Sequence, residues 1–142
     1  MIFEEWTSSL NTKEIPCNPE MRLETFLTNE VEVSKWASEG LPTDELSIQN
    51  GILTSMASRY PLCIDPQMQA VSWIKTKESR QREFKCITFN TNNYIKILEM
   101  AIRFGSSILF ESISIEIDPM IDPVLEKNIT TEAGVEMLTM GD

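Results

Sequence analysis

Tyr60-Pro61-Leu62-Cys63-Ile64-Asp65-Pro66-Gln67-Met68-Gln69-Ala70 is the stretch on which the fold turns. Its apolar run, residues 60–64, reads as a short buried strand stopped by Asp65-Pro66. An amphipathic helix over 67–78 follows, with Ala70, Val71, Trp73 and Ile74 facing inward. Downstream, a polar loop over 75–83 leads to a second strand, Phe84-Lys85-Cys86-Ile87-Thr88-Phe89. Residues 92–104 form the clearest helix, with Tyr94, Ile97, Leu98, Ala101 and Ile102 on one side and Gly105 just past its end. Residues 107–111 make a third strand centred on Ile108-Leu109-Phe110. A helix near 120–127 and a final strand over 135–139 complete the series. Strands alternating with helices at these intervals predict an α/β fold with a parallel sheet and right-handed crossovers.

Upstream the pattern is helical. Residues 1–11 suit a short helix with Ile2, Phe3, Trp6 and Leu10 on one side, and residues 12–28, with Pro16 and Pro19, read as a connector. Asn29 caps a second helix, Glu32 completes a capping box and Gly40 ends the helix. Leu41-Pro42-Thr43-Asp44 is a turn, and Asp44 caps a helix over 45–57. Gly51 inside that helix costs about 1 kcal/mol relative to alanine, which predicts a packing reason for it.

Composition removes whole classes of function. The chain has 142 residues, one domain's worth, and a net charge of −10 from 12 basic and 22 acidic residues. That balance argues against nucleic acid, anionic membrane or the acidic microtubule surface as a direct partner. There is no histidine, hence no histidine general base or metal ligand and no histidine-activated nucleophile. Cys17, Cys63 and Cys86 lack C-x-x-C spacing, which speaks against zinc, and Cys63 and Cys86 read as buried core thiols suited to a reducing compartment. No signal segment or membrane span is visible, so Asn128-Ile129-Thr130 is an accidental glycosylation pattern. Trp6, Trp36 and Trp73 read as packing residues on apolar helix sides.

In an open α/β sheet the ligand crevice lies beyond the carboxyl ends of the strands. A nucleotide site there needs a glycine-rich loop ending in Lys-Ser or Lys-Thr, whose amides and ammonium hold the phosphates. Asp65, Pro66, Gln67 and Gln69 stand in that place instead. They supply a carboxylate where phosphates would sit, no lysine, and one amide fewer at Pro66. Glu111, ending the third strand, has the outline of the acid that would hold Mg²⁺, yet a solvated strand terminus is the simpler reading. Asp118 and Asp122, each before a proline, read as caps. The sequence therefore predicts no catalytic residue, no metal and no cofactor.

Residues 40–52, Gly-Leu-Pro-Thr-Asp-Glu-Leu-Ser-Ile-Gln-Asn-Gly-Ile, resemble the entry helix of the fifth AAA module of dynein heavy chains. Residues 59–67 continue the match, with Gln69-Ala70 and Trp73-Ile74-Lys75 beyond them. Leu98-Glu99 with Ala101-Ile102-Arg103-Phe104-Gly105 looks like that module's second core helix. Leu109-Phe110-Glu111 looks like its degenerate Walker-B strand, and Ile117-Asp118-Pro119 through Asp122-Pro123-Val124-Leu125 like the segment behind that strand. Gly141-Asp142 looks like the end of the next β-segment. Asn50-Gly51 and Tyr60-Pro61-Leu62-Cys63 look more like axonemal chains than the cytoplasmic one.

The resemblance implies a P-loop-type three-layer AAA+ fold, incomplete and without the small helical subdomain. Residues 1–39 would be a helical lead-in from the stalk, and residues 40–142 part of the large subdomain with a degenerate nucleotide site. It implies a structural, non-catalytic role, with neighbouring AAA modules and the stalk and buttress of the same heavy chain as partners. Other dynein subunits would be reached only indirectly, and the location would be cytoskeletal, in the ciliary axoneme. Two alternatives stand beside it: an ATP-binding motor-region fragment, and a small acidic interaction protein unrelated to motors. In the resembling proteins a further strand follows Gly-Asp and sits between the first and third, so a sheet lacking it is expected to expose an apolar edge and to be marginally stable or aggregation-prone.

Overall fold

The computed structural model describes residues 2–18, 21–80 and 83–140. Pro19, Gly141-Asp142 and the side chains of Ile2 and Phe3, all named above, lie outside the described residues. The elements run α1 Ile2–Thr12, α2 Leu23–Leu27, α3 Glu30–Ser38, α4 Glu45–Met56, α5 Gln69–Glu78, β1 Lys85–Ile87, α6 Tyr94–Phe104 and β2 Ile108–Phe110. A 3₁₀ turn, Pro119–Ile121, then leads to α7 Asp122–Leu125, β3 Ile129–Glu132 and β4 Val135–Leu138.

The helix signals hold at their ends. The Asn29 side chain accepts the Glu32 N–H at 2.9 Å, and Asp44 accepts the Ser47 N–H at 3.0 Å, so α3 and α4 begin where their caps place them. At the end of α3, Leu41 N–H returns to Trp36 O at 3.0 Å and Gly40 N–H to Ala37 O at 3.0 Å. This double return requires a left-handed residue, and Gly40 supplies it with φ 102°. The turn carries Leu41 back onto Trp36, and both join a core of Ile52 and Trp73, with Ile48 and Ile74 packed against it. Trp36 meets Trp73 edge to face, with ring centroids 5.9 Å apart. Gly51 lies against this cluster: a β-carbon there would come within 2.9 Å of Leu41 Cδ2 and 3.0 Å of Trp36 Cε3. That is its packing reason.

A second cluster forms around Leu98, Ile121 and Val124. Phe89 stacks on Phe110 with centroids 4.8 Å apart, and Tyr94 approaches Phe89 edge-on at 5.5 Å. Here α6 covers β1 and β2, which pair in parallel with Lys85 opposite Ile108 and Ile87 opposite Phe110. The expected strand–helix–strand crossover is thus present, and Gly105 closes α6 in a left-handed conformation.

Several expectations are corrected. Residues 60–64 form no strand, and they are exposed, Ile64 at 93%. Apolar content alone does not make a strand: it needs a neighbour for its ladder, Pro61 removes a donor, and among the described residues the parallel sheet has two strands only. The final strand, β4, is not in that sheet. It pairs antiparallel with β3, a strand absent from the sequence-based expectation, in an exposed hairpin. Ala133 and Gly134, with φ 50° and 80°, make its two-residue turn, whose conformation suits the twist of paired strands. The connector over 12–28 contains α2, docked on α4 through Gln49 Nε2 to Glu24 Oε1 at 2.5 Å and Arg22 to Glu45 at 2.8 Å. Helix α5 ends at Glu78 as expected but begins at Gln69, later than expected, behind the turn closed by Met68 N–H to Asp65 O. Cys63 and Cys86 are exposed rather than buried, Cys63 within the exposed run and Cys86 beside the buried Ile87 of β1. Trp6 and Ile102, expected to face inward, are exposed at 61% and 42%.

Candidate functional site

The turn between residue 64 and α5 is where a phosphate cradle would have to form. Met68 takes a left-handed conformation, φ 60°, and its N–H returns to Asp65 O at 3.2 Å. This tight turn brings the Asp65 carboxylate back over the first turn of α5. One oxygen accepts the Gln69 N–H at 2.9 Å and the other the Val71 N–H at 2.9 Å. Amides at a helix start favour an anion because they lack partners within the helix. Two of them here already hold a carboxylate belonging to the chain. Pro66 contributes no donor, and Gln67 and Gln69 are exposed.

Glu111 follows β2 directly, and its N–H donates to Ile87 O at 2.8 Å, which prolongs the parallel ladder by one bond. Its carboxylate reaches Lys75 on α5, Oε1 to Nζ 2.5 Å. The hydrogen bond from Lys75 to Glu111, with the charge of that carboxylate, raises the Lys75 ammonium above the usual lysine range. An acid that could have held a cation is therefore paired with an internal one. In the sequence Lys75 stands out only through the family resemblance, because a contact across the crossover between α5 and β2 leaves no signal in local spacing.

Of the other two acids, only Asp118 behaves as a cap. Asp118 accepts the Met120 N–H at 3.0 Å and the Tyr94 hydroxyl, which fastens the 3₁₀ turn to the start of α6. Burial and the Asp118 carboxylate together push the Tyr94 phenol up to about 12, while the same bond holds Asp118 below the ordinary carboxylate range. Asp122, expected as a cap, is instead the first residue of α7: only its backbone carbonyl is engaged, by the Glu126 N–H at 2.8 Å, and that helix start has no side-chain cap. Partial burial raises the Cys63 and Cys86 thiols, the Asp65 charge adding to the rise at Cys63. Such thiols stay protonated and are poor nucleophiles. Among the described residues no cluster of three or more Cys, Asp or Glu side chains forms a metal site, and no helix is long and apolar enough to cross a membrane.

So the geometry brings Asp65 onto the amides of Gln69 and Val71, sets Glu111 against Lys75, and leaves Gln67 facing solvent. Helices packed beside a small parallel sheet define a mixed α/β domain piece. The protein family described as the ATP-binding dynein motor region matches residues 34–142. The chain belongs to that family, the motor region of dynein heavy chains. It is 49% identical over its whole length to human dynein axonemal heavy chain 10. It is 51% identical, again over its whole length, to the Chlamydomonas reinhardtii dynein-1-alpha heavy chain of the flagellar inner arm I1 complex. Against the gamma chain of the flagellar outer arm of the same alga it is 40% identical over 90% of its length. The chain spans 3% of the length of each of these relatives.

Proposed function

We propose that this chain is a non-catalytic structural segment of an axonemal dynein heavy chain, part of the large subdomain of the fifth AAA module. Residues 1–39 serve as the lead-in from the stalk, and residues 40–142 as the module itself. ATP turnover elsewhere in the ring drives movement along microtubules, and this segment contributes stiffness and contacts to neighbouring modules and the buttress. The axonemal and flagellar names of the relatives support the placement in the cilium.

The observation that carries the reading is the Asp65 carboxylate on the Gln69 and Val71 amides. A triphosphate entering this turn would have to displace it, against the repulsion of like charges, and would find no lysine at the turn to neutralise its terminal phosphate. Glu111, held by Lys75, offers Mg²⁺ a ligand already engaged. A second reading, an ATP-binding fragment, is favoured by the family's description as an ATP-binding motor region. Calorimetric titration with Mg·ATP separates the two. The structural reading expects no heat of binding through the micromolar range, and saturable micromolar binding would establish the second.

A further inference from the structure

The one buried charged side chain among the described residues, Glu39, has no role in the function proposed above. It closes α3, its side chain is 1% exposed, and among the described residues neither carboxylate oxygen accepts a hydrogen bond. A buried carboxylate without donors is costly and persists only where a compensating group stands near. Among the described residues that group is Arg80, just past the end of α5, with Nη1 3.9 Å from Glu39 Oε1. The distance suits charge attraction but is too long for a hydrogen bond. The Arg80 side chain is 64% exposed, and so has room to move, whereas both Glu39 oxygens are closed to solvent. An outside cation therefore has no path to the carboxylate, while the guanidinium already at its edge does.

The rest of α5 gives this pair a purpose. Lys75 binds Glu111 beyond β2 at 2.5 Å, and Lys77 donates to Ser55 Oγ on α4 at 2.9 Å. We propose that α5 is a strut clamped by three basic side chains to three separate elements, and that Arg80 closing on Glu39 is the latch that fixes it to the α3–α4 elbow. In the closed state the guanidinium fork donates to the carboxylate and satisfies it. In the open state the elbow, built on the Gly40 turn, is held to α5 by the packing of Trp36 and Leu41 on Trp73 without this polar tie. The device depends on neither the ring position nor the state of the Asp65 turn, so its failure would leave the function proposed above untouched.

Hydrogen exchange read by NMR tests it, beginning with the unaltered protein. The Arg80 guanidinium protons are expected to exchange about tenfold more slowly than those of Arg59 and Arg103, as a charge-assisted bond requires. They should lose that protection in Glu39→Gln. Exchange of the Leu41 amide, which closes the elbow, should quicken in Arg80→Met and recover in part in Arg80→Lys. The pair Glu39→Gln with Arg80→Met should add nothing to the larger single effect. Arg80 protons that exchange like those of the other arginines in the unaltered protein would overturn the latch, as would additive single effects. The first of these needs no variant to fold.

Discussion

Asp65 acts as a helix cap with both its oxygens, on the amides of Gln69 and Val71. Asp65→Ala should loosen the first turn of α5 at a cost of about 1–2 kcal/mol, the range for losing such a cap. Amide exchange at Gln69 and Val71 would record it, and unchanged exchange would mean the carboxylate holds nothing. Tyr94 and Asp118 give a prediction in pH. The Tyr94 phenol lies above its ordinary 10.0, at about 12, so its contribution is whole below pH 10 and fades as pH rises through about 12. Asp118 lies below its ordinary 3.8, so its contribution is present above that value and is lost as pH falls through the lowered one. Docking of the 3₁₀ turn onto α6, followed through the Met120 amide, should therefore weaken at both extremes, and Tyr94→Phe should flatten both limbs. Identical profiles for the two proteins would contradict this. At this scale the sequence was legible wherever a cap acts locally, as at Asn29, Asp44 and Asp118. It was illegible where partners lie far apart, as with Lys75 and Glu111 or Arg80 and Glu39.

Among the elements, α4 shows how packing overrides propensity. Alanine would suit the helix better than Gly51 by about 1 kcal/mol. Its β-carbon, however, would press within 3.0 Å of Trp36 Cε3, an edge of a ring already held by Trp73. Overpacking of this kind costs about 1–3 kcal/mol, so Gly51→Ala should be destabilising on balance, by roughly 1 kcal/mol. A rise in the unfolding midpoint would show that Leu41 and Trp36 yield easily. The long periodic helices were readable because side-chain spacing and end signals agree, as in α6 with Gly105 behind it. Residues 60–64 form no strand because apolar content alone supplies no partner backbone for a ladder. The hairpin of β3 and β4 was missed although Ala133-Gly134 between two β-branched or apolar runs carried a usable signal.

For the molecule as a whole, the two apolar clusters account for only part of the apolar surface. Leu62, Ile64, Leu46 and Leu53 remain largely exposed, on α4 and the segment after it. A surface of this sort favours association, opposed by the repulsion of a net charge of −10. Raising the salt concentration screens that repulsion, so the protein should self-associate more strongly in high salt than in low. Sedimentation velocity across a concentration series would check this, and a monomer at every salt concentration would contradict it.

The central claim is that the turn before α5 is filled by the chain's own carboxylate and has no place for a polyphosphate. The most direct measurement follows the Gln69 and Val71 amide resonances while Mg·ATP is added. The account predicts that both stay where they are, still bonded to Asp65. Saturable shifts of the two amides together, with Asp65 released from them, would contradict it.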